Sequence, residues 1–174
     1  MSERTNPRAA SGTRLVEDEL VERTIPSPVG PLRVVASPRG IRAILWSDET
    51  GRVDVGRPTP GTNEHLARCE QQLAEYFAGD RVEFDVALDP IGTEFQRSVW
   101  AALRTIPYGE TCSYGEQAAM LGDPRKARAV GAANGRNPIS IVVPCHRVVG
   151  ANGSLTGFAG GVDTKRWLLA HEAR

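Results

Sequence analysis

Hydrophobic and polar positions change period along the chain, and those changes predict its elements. Residues 1–23 carry little apolar periodicity and read as a flexible arm. Leu32–Ala36 and Ile41–Trp46 are dense in aliphatic residues and predict strands. They are joined through Ser37-Pro38-Arg39-Gly40, with Pro and Gly where a type I turn prefers them. The stretch Ser47–Thr62 is rich in Gly, Pro and Asp and reads as a loop. Leu66, Cys69, Leu73, Tyr76 and Phe77 recur at helical spacing up to a stop at Gly79. Val82, Phe84, Val86 and Leu88 alternate with polar residues, the pattern of a half-buried strand. Asp89-Pro90-Ile91-Gly92 reads as an exit linker, so a first domain of mixed α and β content is expected over 24–90.

From 91 to 174 the pattern turns helical. Thr93 with Gln96 makes a capping box ahead of an apolar stripe of Phe95, Val99, Leu103 and Ile106, which Pro107-Tyr108-Gly109 ends. Ser113 with Glu116 opens a short helix that Gly122 closes. Asp123-Pro124 then supplies an N-cap and a first-turn proline for a helix from Arg125 to about Asn134. Two short helices across a tight Gly-containing turn form a helix-turn-helix candidate, an outline shared with many structural helix pairs. Arg125, Lys126, Arg128 and nearby Arg136 face one local acid, Asp123, and phosphate contacts need such cations. Ala127, Ala129 and Gly131 keep the second helix low, so a groove wall could approach it. A solvated helix packing small residues inward fits the same pattern.

Composition narrows the class. Of 174 residues, 40% are apolar and 24% charged, enough to bury a core, which excludes a disordered or fibrous chain. No apolar run is long enough to cross a bilayer, and Met1–Arg23 has no signal-peptide core, so a soluble cytoplasmic protein is expected. Three cysteines make no disulfide framework. Net charge is zero but uneven, with 11 basic and 15 acidic residues up to position 90 and 10 basic and 6 acidic after it. A basic half can hold a polyanion.

The chemistry concentrates where the β-branched run Ile139–Val143, read as a buried strand, ends in Pro144-Cys145-His146-Arg147. A thiol of pKa about 8.5 is mostly protonated at neutral pH, and a positioned base or nearby cation converts it to a nucleophile. On an extended strand Cys145 and His146 would point to opposite faces, so His146 reaches the thiol through a turn or a bridging water. Cysteine is also commonly a small buried hydrophobe, and a Cys-His pair alone does not exclude a thioester-forming hydrolase.

The longer string is more specific. Pro-Cys-His-Arg-Val at 144–148 follows Gly-Arg-Asn-Pro at 135–138 and precedes Gly-Phe-Ala-Gly-Gly at 157–161. With Tyr114, Arg128-Ala129-Val130-Gly131 and Trp167-Leu168-Leu169-Ala170-His171-Glu172, it closely resembles the O6-alkylguanine-DNA alkyltransferases of direct-reversal DNA repair. The resemblance runs from about Thr93 to the C-terminus; the first domain matches in outline only. It implies an α+β protein, with a small ribonuclease-H-like N-terminal α/β domain and a helical winged helix-turn-helix-type domain over 91–174 carrying the active site.

By that resemblance Cys145 takes the alkyl group from O6 of a flipped guanine, and from O4 of alkylated thymine, once and irreversibly. His146 receives the thiol proton through a water, Glu172 orients His146, Tyr114 protonates the leaving guanine, and Asn137 is the hinge before the active-site segment. Tyr114, Val148, Gly157, Phe158, Ala159 and Gly160 are expected to form the base pocket. Arg128 would intercalate where the nucleotide leaves the stack. Ala127, Ala129, Gly131, Arg125, Lys126, Arg136 and Arg147 would lie on DNA. The implied partner is double-stranded DNA bearing O6-alkylguanine, met through the minor groove with little sequence specificity. The protein is expected to be a monomer that could load cooperatively on DNA, nucleoid-associated in a bacterium, with no membrane contact and no cofactor. Some members hold zinc in the first domain, but His65 and Cys69 alone cannot close a tetrahedral site, so no metal is expected.

Overall fold

A run of aliphatic residues that can be buried on both faces organises the first domain. In the computed structural model, which describes residues 19–47, 49 and 51–174, that run is β2 (Leu32–Ser37), with Val34, Val35 and Ala36 fully buried. It pairs antiparallel with β1 (Val21–Ile25) and with β3 (Gly40–Trp46), and β4 (Thr59–Pro60) adds parallel to β1, giving the order β3-β2-β1-β4. Helix α1 (Glu64–Ala78) lays Leu66, Cys69, Leu73 and Tyr76 on one face of this sheet. Val35, Ala43, Leu45 and Val55 form a smaller cluster apart from that core. Asn63 caps α1 by accepting from the Leu66 amide at 2.9 Å, and Gly79 ends it at φ 83°, where a glycine carries no steric cost.

Two expectations for this domain change. Val21–Arg23, read as part of the arm, lie in β1; residues 1–18 of that arm fall outside the described residues. Glu22, Arg23 and Thr24 give β1 no apolar alternation, and it is held by backbone pairing, Val21 opposite Ala36 through Ile25 opposite Leu32. Residues 82–88 are not a strand: Val82 is exposed, and a single parallel bridge joins Leu88 to Ile41. The Ile41 amide donates to the Ala87 carbonyl and the Asp89 amide to the Ile41 carbonyl, each at 2.8 Å.

In the second domain α2 (Glu94–Leu103) starts with both bonds of the Thr93–Gln96 capping box and buries Val99, Trp100 and Leu103. It stops at Leu103, short of Pro107, with Arg104 as its C-cap, and Ile106 is buried beyond its end. Then come β5 (Cys112–Ser113), α3 (Tyr114–Met120) capped by Ser113, a 3₁₀ turn (Pro124–Lys126) capped by Asp123, and α4 (Ala127–Gly135). The Trp100 indole donates to the Ala133 carbonyl at 2.8 Å, and the Gln117 and Asn134 amides bond each other at 3.0 and 2.7 Å, fixing the helix-turn-helix angle. After a 3₁₀ turn (Cys145–Arg147), β6 (Val148–Val149) pairs parallel with β5, and α5 (Val162–Glu172) closes the chain. None of the described helices is long and apolar enough to cross a membrane.

The run Ile139–Val143 is not a strand either. The Ile44 amide of β3 donates to Pro138 and the Ser140 amide donates back to Ile44, so the N-terminal sheet grips this segment at its start. The Val142 amide then bonds the Ser140 carbonyl at 2.9 Å across Ile141, whose φ is 75°: a γ-turn in a conformation a β-branched residue rarely adopts. A second bond of this kind, Cys145 amide to Val143 carbonyl at 2.9 Å, spans Pro144 at φ −83°, ψ 65°, an inverse γ-turn. β-Branched composition signalled burial correctly, but the polar backbone is satisfied by turns and cross-domain bonds instead of a ladder.

A Cβ on Gly40 would lie 2.6 Å from the Ala87 carbonyl oxygen, a backbone atom already fixed by its bond to Ile41. Gly40→Ala is therefore expected to lower the unfolding free energy by about 1–3 kcal/mol in denaturant titration. A change below about 0.5 kcal/mol would show that residues 86–89 give way freely.

Candidate active site

The tight turn just described decides where the thiol and the imidazole point. Cys145 begins a 3₁₀ turn, so its neighbour is rotated by about a third of a turn and not reversed as on a strand. Cys145 is half-buried at a pocket of about 270 Å³, while His146 is turned wholly inward. Tyr114 from α3, Gly131 from α4, Asn137 and Ser140 from the hinge, and Phe158 and Ala159 from the Gly-rich loop also line that pocket.

Inside, His146 Nε2 lies 2.7 Å from Glu172 Oε2. Arg147 donates to Glu172 through Nε at 2.8 Å and Nη2 at 3.2 Å, the Tyr76 hydroxyl donates to Oε2 at 2.7 Å, and the Gly109 amide reaches Oε1 at 3.4 Å. Burial pushes the Glu172 carboxyl up, but the bonds from His146 and Arg147 outweigh it and hold the group well below the usual carboxylate range. His146 is pushed down by burial, more than Glu172 raises it, so it rests neutral. A neutral imidazole facing a carboxylate through Nε2 carries its proton there, which makes Nδ1 a lone-pair acceptor; among the described residues Nδ1 has no partner. Burial raises the Cys145 thiol, opposed in part by the Asn137 amide and the charges of Lys165 and Arg52. The resting pair is thus a thiol and a neutral imidazole, suited to general-base activation.

Asn137 holds the hinge from both ends of its amide, donating to Val143 O at 2.8 Å and accepting from the Ile139 amide at 3.0 Å. Tyr114 sits at the first turn of α3 with its hydroxyl 3.4 Å from Thr156 O, and its ring faces Gly131. Gly157, Phe158 and Ala159 line the pocket as expected; Val148 and Gly160 do not. Val148 is fully buried and its carbonyl accepts from Lys165 Nζ at 2.6 Å. Gly160 lies on Trp46, where a Cβ would come within 2.6 Å of the ring, so its smallness serves the contact between the domains.

On the outer surface Arg128 and Ala129 are exposed on α4 and Ala127 is partly so, while Gly131 turns to the pocket. Arg125 is paired with Asp123, Lys126 lies 6.0 Å over the Phe95 ring, and Arg136 donates to the Arg52 carbonyl. Arg147 corrects the expectation of a DNA contact: it is buried, bonded to Glu172 and to the Ile106 carbonyl at 2.7 Å.

Three participants escape a reading of the sequence. Arg52 lines the pocket and donates to Gly135 O and Asn137 O, but it stands in an aperiodic loop with no motif. Tyr76 looks like one more apolar-stripe residue until its hydroxyl is seen on Glu172. Lys165 is fully buried, and here a signal existed: Lys165, Leu168 and Glu172 share one helix face at i, i+3 and i+7. No cluster of three or more metal-ligating side chains occurs among the described residues, and His65 instead meets the Pro38 carbonyl at 3.1 Å.

Known proteins share this architecture. The profile of the family described as 6-O-methylguanine DNA methyltransferase, ribonuclease-like domain, matches residues 20–90, and that of its DNA binding domain matches 94–174. A methylated-DNA–protein-cysteine methyltransferase of Methanosarcina acetivorans is 49% identical over 146 residues, covering 84% of this chain and 94% of that one. One from Mycolicibacterium paratuberculosis is 51% identical, covering 87% and 92%. A crystal structure of Mycobacterium tuberculosis OGT in complex with DNA superposes with a TM-score of 0.79 at 49% identity, covering 87% of this chain and 92% of that one. Matched in both domains and along most of its length, the chain belongs to the 6-O-methylguanine DNA methyltransferase family.

Proposed function

We propose that this DNA-repair alkyltransferase acts by carrying the alkyl group of O6-alkylguanine irreversibly onto its own Cys145, after drawing the base out of the duplex into the pocket beside α4. The observation that carries the assignment is the thiol at a base-sized pocket, backed by an imidazole whose Nε2 is bonded to a buried carboxylate and whose Nδ1 is open to accept.

Sγ attacks the alkyl carbon, the carbon–O6 bond breaks, and the thiol proton passes through a water to Nδ1 of His146. Tyr114 gives a proton to the departing guanine, so a neutral base leaves, and the phenolate takes a proton back from the imidazolium through solvent. Glu172 keeps its charge throughout and stabilises the imidazolium that forms. The product is a thioether, which water does not cleave as it would a thioester, so each chain reacts once. Thymine alkylated at O4 offers the same alkyl–oxygen bond. Removing a base from the stack costs a few kcal/mol. On this reading Arg128 fills the gap and α4 lies in a minor groove, supported by the exposure of Arg128 on α4 and the small side chains of Ala127 and Ala129 beside it. Such a wedge reads no base edge, in keeping with lesions in any sequence context. The base itself is met by Tyr114 and the 157–159 loop, with the Val148 carbonyl engaged by Lys165. The chain works as a monomer without a cofactor, in the compartment that holds DNA.

Intact mass after incubation with O6-methylguanine DNA is expected to rise by one methylene per chain, mapped to Cys145, and Cys145→Ala is expected to stay unchanged. Turnover of many lesions per chain would mark a hydrolase instead. Arg128→Ala is expected to slow repair of duplex DNA by about tenfold or more, the scale of losing one charged contact, and to leave reaction with free O6-benzylguanine within about twofold. Equal losses on both substrates would place Arg128 in the pocket chemistry or in folding.

A further inference from the structure

The apolar stripe of α1 explains why Tyr76 is buried, but not where its hydroxyl goes. A buried phenol must find an acceptor, and this one reaches across the domain boundary to Glu172 Oε2 at 2.7 Å. That is the same oxygen that faces His146 Nε2 at 2.7 Å and Arg147 Nη2 at 3.2 Å. The ring cannot swing away. It is packed against Phe77, Phe84, Tyr108 and His171 with centroids 5.1 to 6.2 Å apart, and the Tyr76 carbonyl is itself bonded by His171 Nε2 at 2.7 Å.

We propose that Tyr76 is a positioning residue for alkyl transfer, its hydroxyl sharing Glu172 Oε2 with His146 so that the N-terminal domain sets how strongly the carboxylate holds the imidazole. Arg147 and Glu172 cancel each other's charge, so the cluster is neutral while His146 is neutral. The phenol occupies a lone pair without adding a cation, which draws electron density from Oε2 and weakens its hold on an imidazolium. Tyr76 thereby favours the neutral imidazole that accepts the thiol proton. Other groups around the cluster are Arg147 on the 3₁₀ turn, Lys165 on α5, Cys145 itself, Tyr108 under the Arg147 guanidinium at 5.7 Å, and Arg174 near Tyr108. Arg52, also from the N-terminal domain, bears on Cys145, whereas among the described residues Tyr76 is the one side chain of that domain bonded to Glu172.

The proposal rests on Cys145 being the acceptor, and its test separates the two. In the full chain, alkylation of Cys145 by free O6-benzylguanine is followed by intact mass from about pH 5.5 to 9. With Tyr76→Phe, Glu172 keeps one donor fewer, His146 protonates more readily, and the acid limb of the rate profile is expected to move up by about half to one pH unit. Transfer on the acid limb then falls several-fold while the alkaline plateau stays within about twofold. Phe84→Leu, which loosens the same packing without touching the hydroxyl, is expected to leave the limb in place. Site-specific 3-fluorotyrosine at position 76, a stronger donor of nearly the same shape, is expected to move it down, and it serves equally if the phenylalanine variant does not fold. An unmoved limb in the Tyr76 variants, or an equal shift in Phe84→Leu, overturns the proposal. No adduct on the parental Cys145 at any pH overturns the transferase reading, and this proposal with it.

Discussion

The Glu172 carboxylate, 4% exposed, gathers donors from distant parts of the chain: Tyr76 from α1, the Gly109 amide from the loop after α2, and His146 and Arg147 from the 3₁₀ turn. An isolated carboxylate could not be buried there. Removing one partner of such a buried ion pair commonly costs about 3–5 kcal/mol, because the other charge is left without compensation. The network therefore binds α5 to both domains and leaves His146 little freedom to turn. With its pKa depressed, Glu172 contributes stability above its unfolded value of about 4.3 and loses it only as pH falls through the folded value. His146, depressed by burial, opposes folding as pH drops below its unfolded value of about 6.5.

This arrangement separates the site from cysteine centres that hold a ready-made thiolate–imidazolium pair. Burial disfavours charge on both Cys145 and His146, and Arg147 already answers the charge of Glu172. The nucleophile is then made as it is used, which spares an exposed thiolate from casual oxidation before a lesion arrives. A one-use protein has much to lose from such oxidation. Lys165 and Arg52 flank the thiol with positive charge that favours the thiolate as the proton departs.

Much of the helical domain was legible because its signals are local. The Thr93–Gln96 box and the Ser113 cap, like the Gly79 stop in the first domain, each depend on residues within a few positions, and each is where the pattern predicts; Asp123 caps a 3₁₀ turn instead, and the helix expected from Arg125 begins at Ala127. The Pro-Cys-His-Arg string pointed to the thiol, the imidazole and, through the resemblance, to Glu172. What failed depends on contacts far along the chain. β1 exists through its pairing with β2, the 139–143 run turns because β3 and the hinge satisfy its backbone, and Arg147 faces inward because Glu172 is there. The Tyr76–Glu172 bond spans 96 positions, beyond any periodicity in the sequence.

The central claim is that Glu172 holds His146 as a neutral imidazole protonated on Nε2. It is tested most directly by nitrogen-15 spectra of the imidazole rings in the unreacted protein. The chain has three histidines, and His146 is assigned by its absence from a His146→Gln variant. The account predicts a protonated Nε2 and an unprotonated Nδ1 for His146 throughout about pH 6.5 to 8. An imidazolium in that range, or a proton on Nδ1 of the neutral ring, would contradict it.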